Sequence, residues 1–452
     1  MINQSIRDDI LHPFSSVEQV LSQGPCVLDK AEGVRVWDVQ GNEYIDTAAS
    51  LWCVNAGFGR TPIIEAMTEQ GHRMPFFHSF NGMANEPALQ LTEKILSHTP
   101  DNIRKVFYGN SGSDANDTAV KLIWLYNNLQ GQPMRKKIIA RQRGYHGVTV
   151  AAGSLTGLSG VHNHFDLPVD RFRHVSPPDL YRQPERDAQS YADELEDLIE
   201  KEGSDTIAAF FAEPVMGTGG VLPPPPGYYQ AIKKVLDAHD ILLVLDEVIS
   251  GYGRLGHWFG AQRFDVEADL IITAKGLTSS YLPMSAVLLG SKVWDVIEAE
   301  RKTVGVFGHG FTTSAHPIAA AVALANLTII EDENLVSQAG EMGAILLSRM
   351  QSSLGNHPLV GDVRGDGLMV GVEIVADRAL KTSFDPALGV GVKIREVAMK
   401  NGLMVRALMN DTIAFSPAFI ITKDDIELIA SRFADTLDHV LLDLKRDGHW
   451  SE

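Results

Sequence analysis

Five short apolar runs, at residues 106–108, 137–140, 207–211, 241–245 and 270–273, recur through the middle of this sequence. Between them lie amphipathic stretches at 114–129, 193–201 and 226–239, with apolar residues at helical spacing. Strands that are apolar on both faces must be covered on both sides. That requires a mainly parallel sheet sandwiched by helices, so the fold class is α/β. In such sheets the ligand crevice lies at the carboxyl ends of the strands, which makes the residues just past each run the candidates for chemistry.

The flanks read differently. Residues 34–39, Gly41-Asn42 and Tyr44-Ile45 suggest a hairpin in an N-terminal arm. After Glu331 come a helix, a glycine-rich strand pair at 363–374 and a final helix with Ile426, Ile429, Phe433, Leu437 and Val440 on one stripe. The expected organisation is an N-terminal arm and part of a small domain (1–60), a large domain (61–331) and a smaller C-terminal α+β domain (332–452). The acidic run at 193–202 reads as a solvated helix face.

Four motifs stand at informative places. Gly109-Asn110-Ser111-Gly112-Ser113-Asp114-Ala115-Asn116 follows the first run and opens a helix. Its free N–H groups and the helix dipole suit a phosphate, although a plain N-cap turn has the same composition. Asp246, directly after 241–245, either points into the crevice or makes a loop ion pair. Lys275 follows 270–273. Burial there would lower its pKa and favour the neutral amine that imine chemistry needs, whereas a strand-end surface lysine would have no such role. Gly251-Tyr252-Gly253-Arg254-Leu255-Gly256 has dinucleotide-fingerprint spacing, but Asp246 to Ser250 separate it from the strand and His257-Trp258-Phe259-Gly260 starts a helix poorly, which argues against a nicotinamide dehydrogenase.

Taken together, a phosphate turn, a strand-end Asp and a strand-end Lys 29 residues later are the three anchors of a pyridoxal 5'-phosphate site. Ser111-Gly112-Ser113, Tyr145-His146-Gly147, Glu213-Pro214-Val215, Asp246-Glu247-Val248, Ala274-Lys275-Gly276, His309-Gly310-Phe311-Thr312 and Arg406 together resemble the class III pyridoxal-phosphate aminotransferases, from Trp37 to Pro417. The resemblance implies fold type I, a seven-stranded mainly parallel sheet in a large domain plus a smaller α+β domain. It implies that Lys275 carries the cofactor imine and serves as the proton-transfer base. Asp246 would pair the ring nitrogen, Tyr145 and Val248 would pack on the ring, and His146 and Glu213 would lie beside the cofactor. Thr312 would reach the phosphate held by a second subunit, in a homodimer or a tetramer of such dimers with shared sites. The uncharged stretch 303–330 would then lie at the subunit interface.

Within the class, Trp52, Phe80, Tyr145, Phe311 and Arg406 are similar to the substrate pocket of the omega-amino acid–pyruvate (omega-transaminase) branch. Relatives acting on ornithine or 4-aminobutyrate place a Glu after Glu-Pro that pairs with the arginine; the matching position here is Thr218 in Met216-Gly217-Thr218-Gly219. Arg406 would therefore be free to clamp a carboxylate. The expected reaction moves an amino group from a primary amine or omega-amino acid to a keto acid, pyruvate before 2-oxoglutarate. A dialkylglycine decarboxylase or an aminomutase would use the same anchors. Two departures from the branch, Leu408-Met409-Asn410-Asp411 and Ala418, sit beside Arg406.

Charge and cysteine usage exclude other classes. Lys and Arg number 39 against 57 Asp and Glu, a formal charge of −18, which argues against nucleic acid and anionic membranes. Two cysteines, Cys26 and Cys53, supply neither a disulfide framework nor a four-cysteine zinc site and fit a cytoplasmic protein. His162-Asn163-His164 lacks carboxylate or Cys partners at ligand spacing, so no metal is expected. Residues 1–10 carry Arg7, Asp8 and Asp9 and no apolar signal core. Residues 303–330 contain no Asp, Glu, Lys or Arg, yet only 318–330 reads as a continuous apolar helix, too short for a membrane span.

Overall fold

The computed structural model describes residues 9–450; the sequence reading of 1–8 lies outside the described residues. A seven-stranded sheet forms the centre, in the order Ile103–Gly109, Ser285–Gly290, Leu270–Thr273, Leu242–Asp246, Ile207–Ala212, Lys137–Arg141 and Phe172–Val175. The last five strands pair in parallel. Ser285–Gly290 runs antiparallel between Ile103–Gly109 and Leu270–Thr273. All five runs named from the sequence are strands. The two additional ones are an edge strand buried only at its ends, Phe172–Val175, and Ser285–Gly290, whose reversed direction no local pattern announces.

Every residue of Ile207–Ala212, Leu242–Asp246 and Leu270–Thr273 is buried. Phe210 and Phe211 join different hydrophobic clusters, as expected of neighbours on opposite sheet faces. Each such side chain contributes roughly 1.5–3 kcal/mol by leaving water. The helix Gly112–Leu129 starts at a capping box between Ser111 and Asp114 and buries Ala115, Ala119, Leu122, Ile123 and Tyr126.

Two smaller sheets frame the crevice. Leu28–Glu32, Arg35–Asp38, Glu43–Asp46 and Leu403–Met404 form one; Val360–Asp366, Met369–Ile374, Thr412–Phe415 and Arg406–Ala407 form the other. Leu403 pairs with Ile45 while Arg406 pairs with Ala414, so the chain passes from one sheet to the other across Val405. Residues far apart in sequence, from both ends of the chain, thereby meet at Arg406.

The uncharged stretch 303–330 divides in two. Pro317–Asp332 is one helix, packed against Thr61–Arg73 and Glu86–Leu96. Ala320, Val322, Ala323, Leu327 and Ile330 are already buried within the single chain. Their apolar character therefore needs no second subunit, contrary to the expectation for the whole stretch. Among the described residues no helix is long and apolar enough to cross a membrane, and no group of three or more His, Cys, Asp and Glu side chains is placed to hold a metal. The dinucleotide-like glycines serve packing: a Cβ on Gly253 would stand 2.9 Å from the Phe419 ring, and one on Gly256 2.9 Å from Gly340.

Candidate active site

At the carboxyl ends of the central strands a cavity of about 140 Å³ is lined by Gly112, Ser113, Asn116, Tyr145, His146, Gly147, Glu213, Val215, Asp246, Val248 and Lys275, among others. Asp246 ends its strand with a buried carboxylate. Its Oδ2 accepts from Asn116 Nδ2 at 2.9 Å and lies 2.8 Å from His146 Nδ1. Its Oδ1 accepts the Val248 N–H at 3.1 Å, which leaves carboxylate lone pairs for a further donor. The neighbouring Glu247 turns away and accepts from Ala261 N and Ser250 Oγ at 2.8 and 3.0 Å. Burial pushes the Glu247 carboxyl up to about 7.

Around the turn, Ser111 caps the helix and stands just outside the cavity, while Gly112 and Ser113 occupy the first two helical positions, whose N–H groups have no intrahelical partner. A Cβ on Gly112 would meet Val248 Cγ2 at 3.1 Å, so glycine lets the turn approach that side chain. Gly147 has φ 127°, and a Cβ there would lie 2.4 Å from Ser113 Oγ. Glu213 accepts the Tyr145 N–H at 3.0 Å and the Gly217 N–H at 2.9 Å, tying two loops together. Burial raises its pKa.

Lys275 follows its strand with φ 39°, a positive value rare for a non-glycine residue. Although the residue opens partly onto the cavity, its amine lies deep enough for desolvation to push the pKa down to about 8, against the opposing fields of Cys53 and Asp246. Its Nζ lies 5.4 Å from the Trp52 ring centroid, and the Arg406 guanidinium lies 4.7 Å from the same ring. Trp52 is placed by a strained turn in which Ala49, Ser50 and Trp52 all have positive φ. Asp46 holds that turn by accepting the Ala48 and Ser50 N–H groups at 3.1 and 2.6 Å. Arg406 and Thr218 line the same adjoining groove. Burial lowers the Arg406 pKa, and its Nε is a buried donor without an acceptor. Next to it, Asp411 Oδ1 accepts the Gly391 N–H at 2.9 Å, and Ala418 is buried.

The chain by itself does not bring every expected residue to this cavity. Phe80 is exposed and lies against Gly310. Phe311 is half-buried, 6.3 Å from Phe107, and Thr312 is exposed. Their segment is fixed from outside the cavity, with His309 2.9 Å from both Thr118 Oγ1 and Lys121 Nζ. In contrast, Asn116, the last residue of the glycine-serine turn motif, belongs to the site, although the sequence reading gave it no role. It stands one helical turn after Gly112, so i+4 spacing from the glycine turn is the signal that would have found it.

The sequence profile described as Aminotransferase class-III matches residues 17–437. The chain belongs to the class III aminotransferases. This aminotransferase is 43% identical to the diaminobutyrate–2-oxoglutarate transaminase of Halomonas elongata, over 93% of this chain and 92% of that one. It is 41% identical to the mitochondrial gamma aminobutyrate transaminase 1 of Solanum lycopersicum, over 93% of this chain and 82% of that one. The omega transaminase from Pseudomonas jessenii, solved in complex with PMP, superposes with a TM-score of 0.93 at 42% identity, covering 98% of both chains. Like its family, this aminotransferase is pyridoxal-phosphate-dependent and acts on small-molecule amine donors and keto acids, and its fold is that of fold type I. The site fits that cofactor chemically. It offers free N–H groups at a helix start, an acceptor carboxylate, a desolvated amine and a buried His146 Nε2 that has no partner.

Proposed function

We propose that this aminotransferase moves the amino group of a primary amine or omega-amino acid to pyruvate, giving alanine. The observation that carries the choice of acceptor is the unpaired Arg406. Among the described residues Arg406 has no carboxylate partner, and by the resemblance Thr218 stands where the ornithine and 4-aminobutyrate enzymes carry the Glu that pairs with this arginine. A half-buried guanidinium whose Nε has no acceptor is stabilised when a carboxylate arrives, and a planar fork binds one through two hydrogen bonds.

The residues that would hold pyridoxal phosphate are Ser111, Gly112 and Ser113 for its phosphate, Asp246 for its ring nitrogen, and Tyr145, His146, Glu213 and Val248 around it. When bound, the cofactor supplies an aldehyde that takes up the amino group and a ring that accepts electrons from the substrate carbon. Asp246, held by Asn116 and His146, keeps a proton on the ring nitrogen. Lys275 Nζ, with its pKa pushed down to about 8, takes the proton from the substrate carbon and returns it as a general acid. Trp52 and Tyr145 exclude water from the donor side chain, joined by Phe80 and Phe311 where a second subunit brings them to the site, and Arg406 alternates between clamping a carboxylate and leaving room for an apolar amine.

The proposed assembly is a homodimer, or a tetramer of such dimers, in which Thr312 serves the second subunit's site. Its exposure, and that of Val306 and Phe307, supports this reading. Cys26 and Cys53 are free thiols, which supports a cytoplasmic setting.

A donor panel run with pyruvate and with 2-oxoglutarate, reading alanine or glutamate formed, tests the proposal. Faster glutamate formation removes the pyruvate assignment. Retention of diamine without release of a keto or aldehyde product would point to an aminomutase, and release of carbon dioxide to a decarboxylase. Lys275→Ala is expected to lose turnover together with the cofactor's visible absorbance.

A further inference from the structure

The loop that carries Thr218 is gripped from behind by a ring of ion pairs centred on two buried carboxylates, Asp179 and Glu373. Arg143 Nη1 donates to Asp179 Oδ2 at 2.6 Å, and its Nη2 donates to the Gly219 carbonyl. Arg182 lies 3.7 Å from the same Asp179 oxygen and pairs with Glu373. Arg364 Nη1 donates to Glu373 Oε2 at 2.6 Å and to Asp362 Oδ2 at 2.9 Å. The rest of the Arg364 fork returns to the loop, with Nη2 donating to Gly220 O at 2.6 Å and Nε to Val221 O at 2.8 Å. Gly220 fits between the two guanidinium groups, since a Cβ there would stand 2.8 Å from Arg143 Nη2 and 3.3 Å from Arg364 Nη2. Asp179 and Glu373 are 4% and 0% exposed, so solvent does not screen these charges.

Three arginines face three carboxylates, so the ring is neutral and both its ends close on residues 219–221. The other end of the loop is fixed independently, by Glu213 accepting the Gly217 N–H. Thr218 is left between these two fixed points, on the groove that contains Arg406. Arg143 also stands two residues before Tyr145, and Arg364 comes from the strand Val360–Asp366 of the smaller sheet. The ring therefore ties the Thr218 loop to the segment before Tyr145 and to the sheet that also carries Arg406.

We propose that Arg143 and Arg364 are positioning residues for keto-acid recognition: through the backbone of Gly219, Gly220 and Val221 they hold the Thr218 loop at the distance from Arg406 that a small keto acid requires. This rests on the reading of Arg406 as the carboxylate clamp. The test uses holoenzyme and whichever of pyruvate and 2-oxoglutarate it turns over faster. Arg364→Lys keeps a positive charge beside Glu373 but loses the planar fork to Gly220 and Val221. The expected result is a KM for the keto acid raised about tenfold, the effect of losing a charge-assisted hydrogen bond. The kcat stays within about twofold, with an unchanged KM for an uncharged arylalkylamine donor and an unchanged visible cofactor spectrum. Arg143→Lys, which loses the planar fork whose two nitrogens donate separately to Asp179 and Gly219, gives the same signature and decides the matter if Arg364→Lys does not fold. An unchanged keto-acid KM, or a joint deterioration of both KM values and kcat, overturns the proposal; so does failure of both variants to fold, because the ring then serves folding alone. Arg406→Ala, assayed alongside, judges the clamp separately. If it leaves the keto-acid KM unmoved, the clamp reading fails and the proposal falls with it; if it raises that KM while Arg364→Lys does not, the clamp stands and only the positioning role is overturned.

Discussion

In the cofactor-free protein Lys275 is a charged group held where water cannot stabilise it, and replacing it should strengthen the fold. Desolvation takes its pKa from 10.5 down to about 8. The folded-state value lies below the unfolded one, so the protonated form is disfavoured in the fold. The resulting destabilisation is fully present below the folded value and fades as pH rises towards the unfolded value. At pH 7 it amounts to roughly 3 kcal/mol, and at pH 10 to about 1 kcal/mol. Lys275→Met keeps the length of the side chain and removes the charge. Urea unfolding of the apo-proteins, at one fixed protein concentration, should find the variant more stable by roughly 3 kcal/mol at pH 7, with most of that gain gone at pH 10. Titration of other groups affects parent and variant alike and cancels in the difference. A gain that is equal at the two pH values, or a variant less stable at pH 7, would refute the view that this amine is desolvated. A confirmed gain would mean that stability is given up at this position to keep a reactive amine.

Asn116→Ala removes one of the two side-chain partners of Asp246 Oδ2; loss of a hydrogen bond to a charged group, about 1.5–3 kcal/mol, should weaken pyridoxal phosphate binding at least tenfold in an absorbance titration of apo-enzyme. Gly147→Ala forces a side chain onto a φ of 127° with its Cβ 2.4 Å from Ser113 Oγ, so a melting curve should show a loss of at least about 1–3 kcal/mol, and an unchanged midpoint would mean that the turn relaxes freely. Trp52→Ala empties a buried site between Lys275 and Arg406; about 3–5 kcal/mol of stability should disappear in urea unfolding. Mixed dimers of Lys275→Ala and Thr312→Ala subunits should regain part of the activity that each homodimer lacks, and no recovery would remove the shared-site reading.

What local chemistry specifies was legible in the sequence. Fully apolar runs become buried strands because nothing else can cover both their faces. The Ser111 turn caps its helix through groups three residues apart, and Asp246 and Lys275 reach the crevice because each stands at the end of a buried strand. The short apolar run at 286–289, between Pro283 and Gly290, is also a strand that the sequence reading did not name, and its antiparallel direction depends on where the chain must return. The tertiary structure alone decided the contacts between groups distant in sequence. Asn116 and His146 meet on Asp246, Lys275 and Arg406 share the Trp52 ring, and Arg143 and Arg364 close on Gly220. The physical reason is range. Strand period, capping and burial act over a few residues and are written into local sequence, whereas these contacts exist only after sheet order and the crossing at Val405 have brought the segments together.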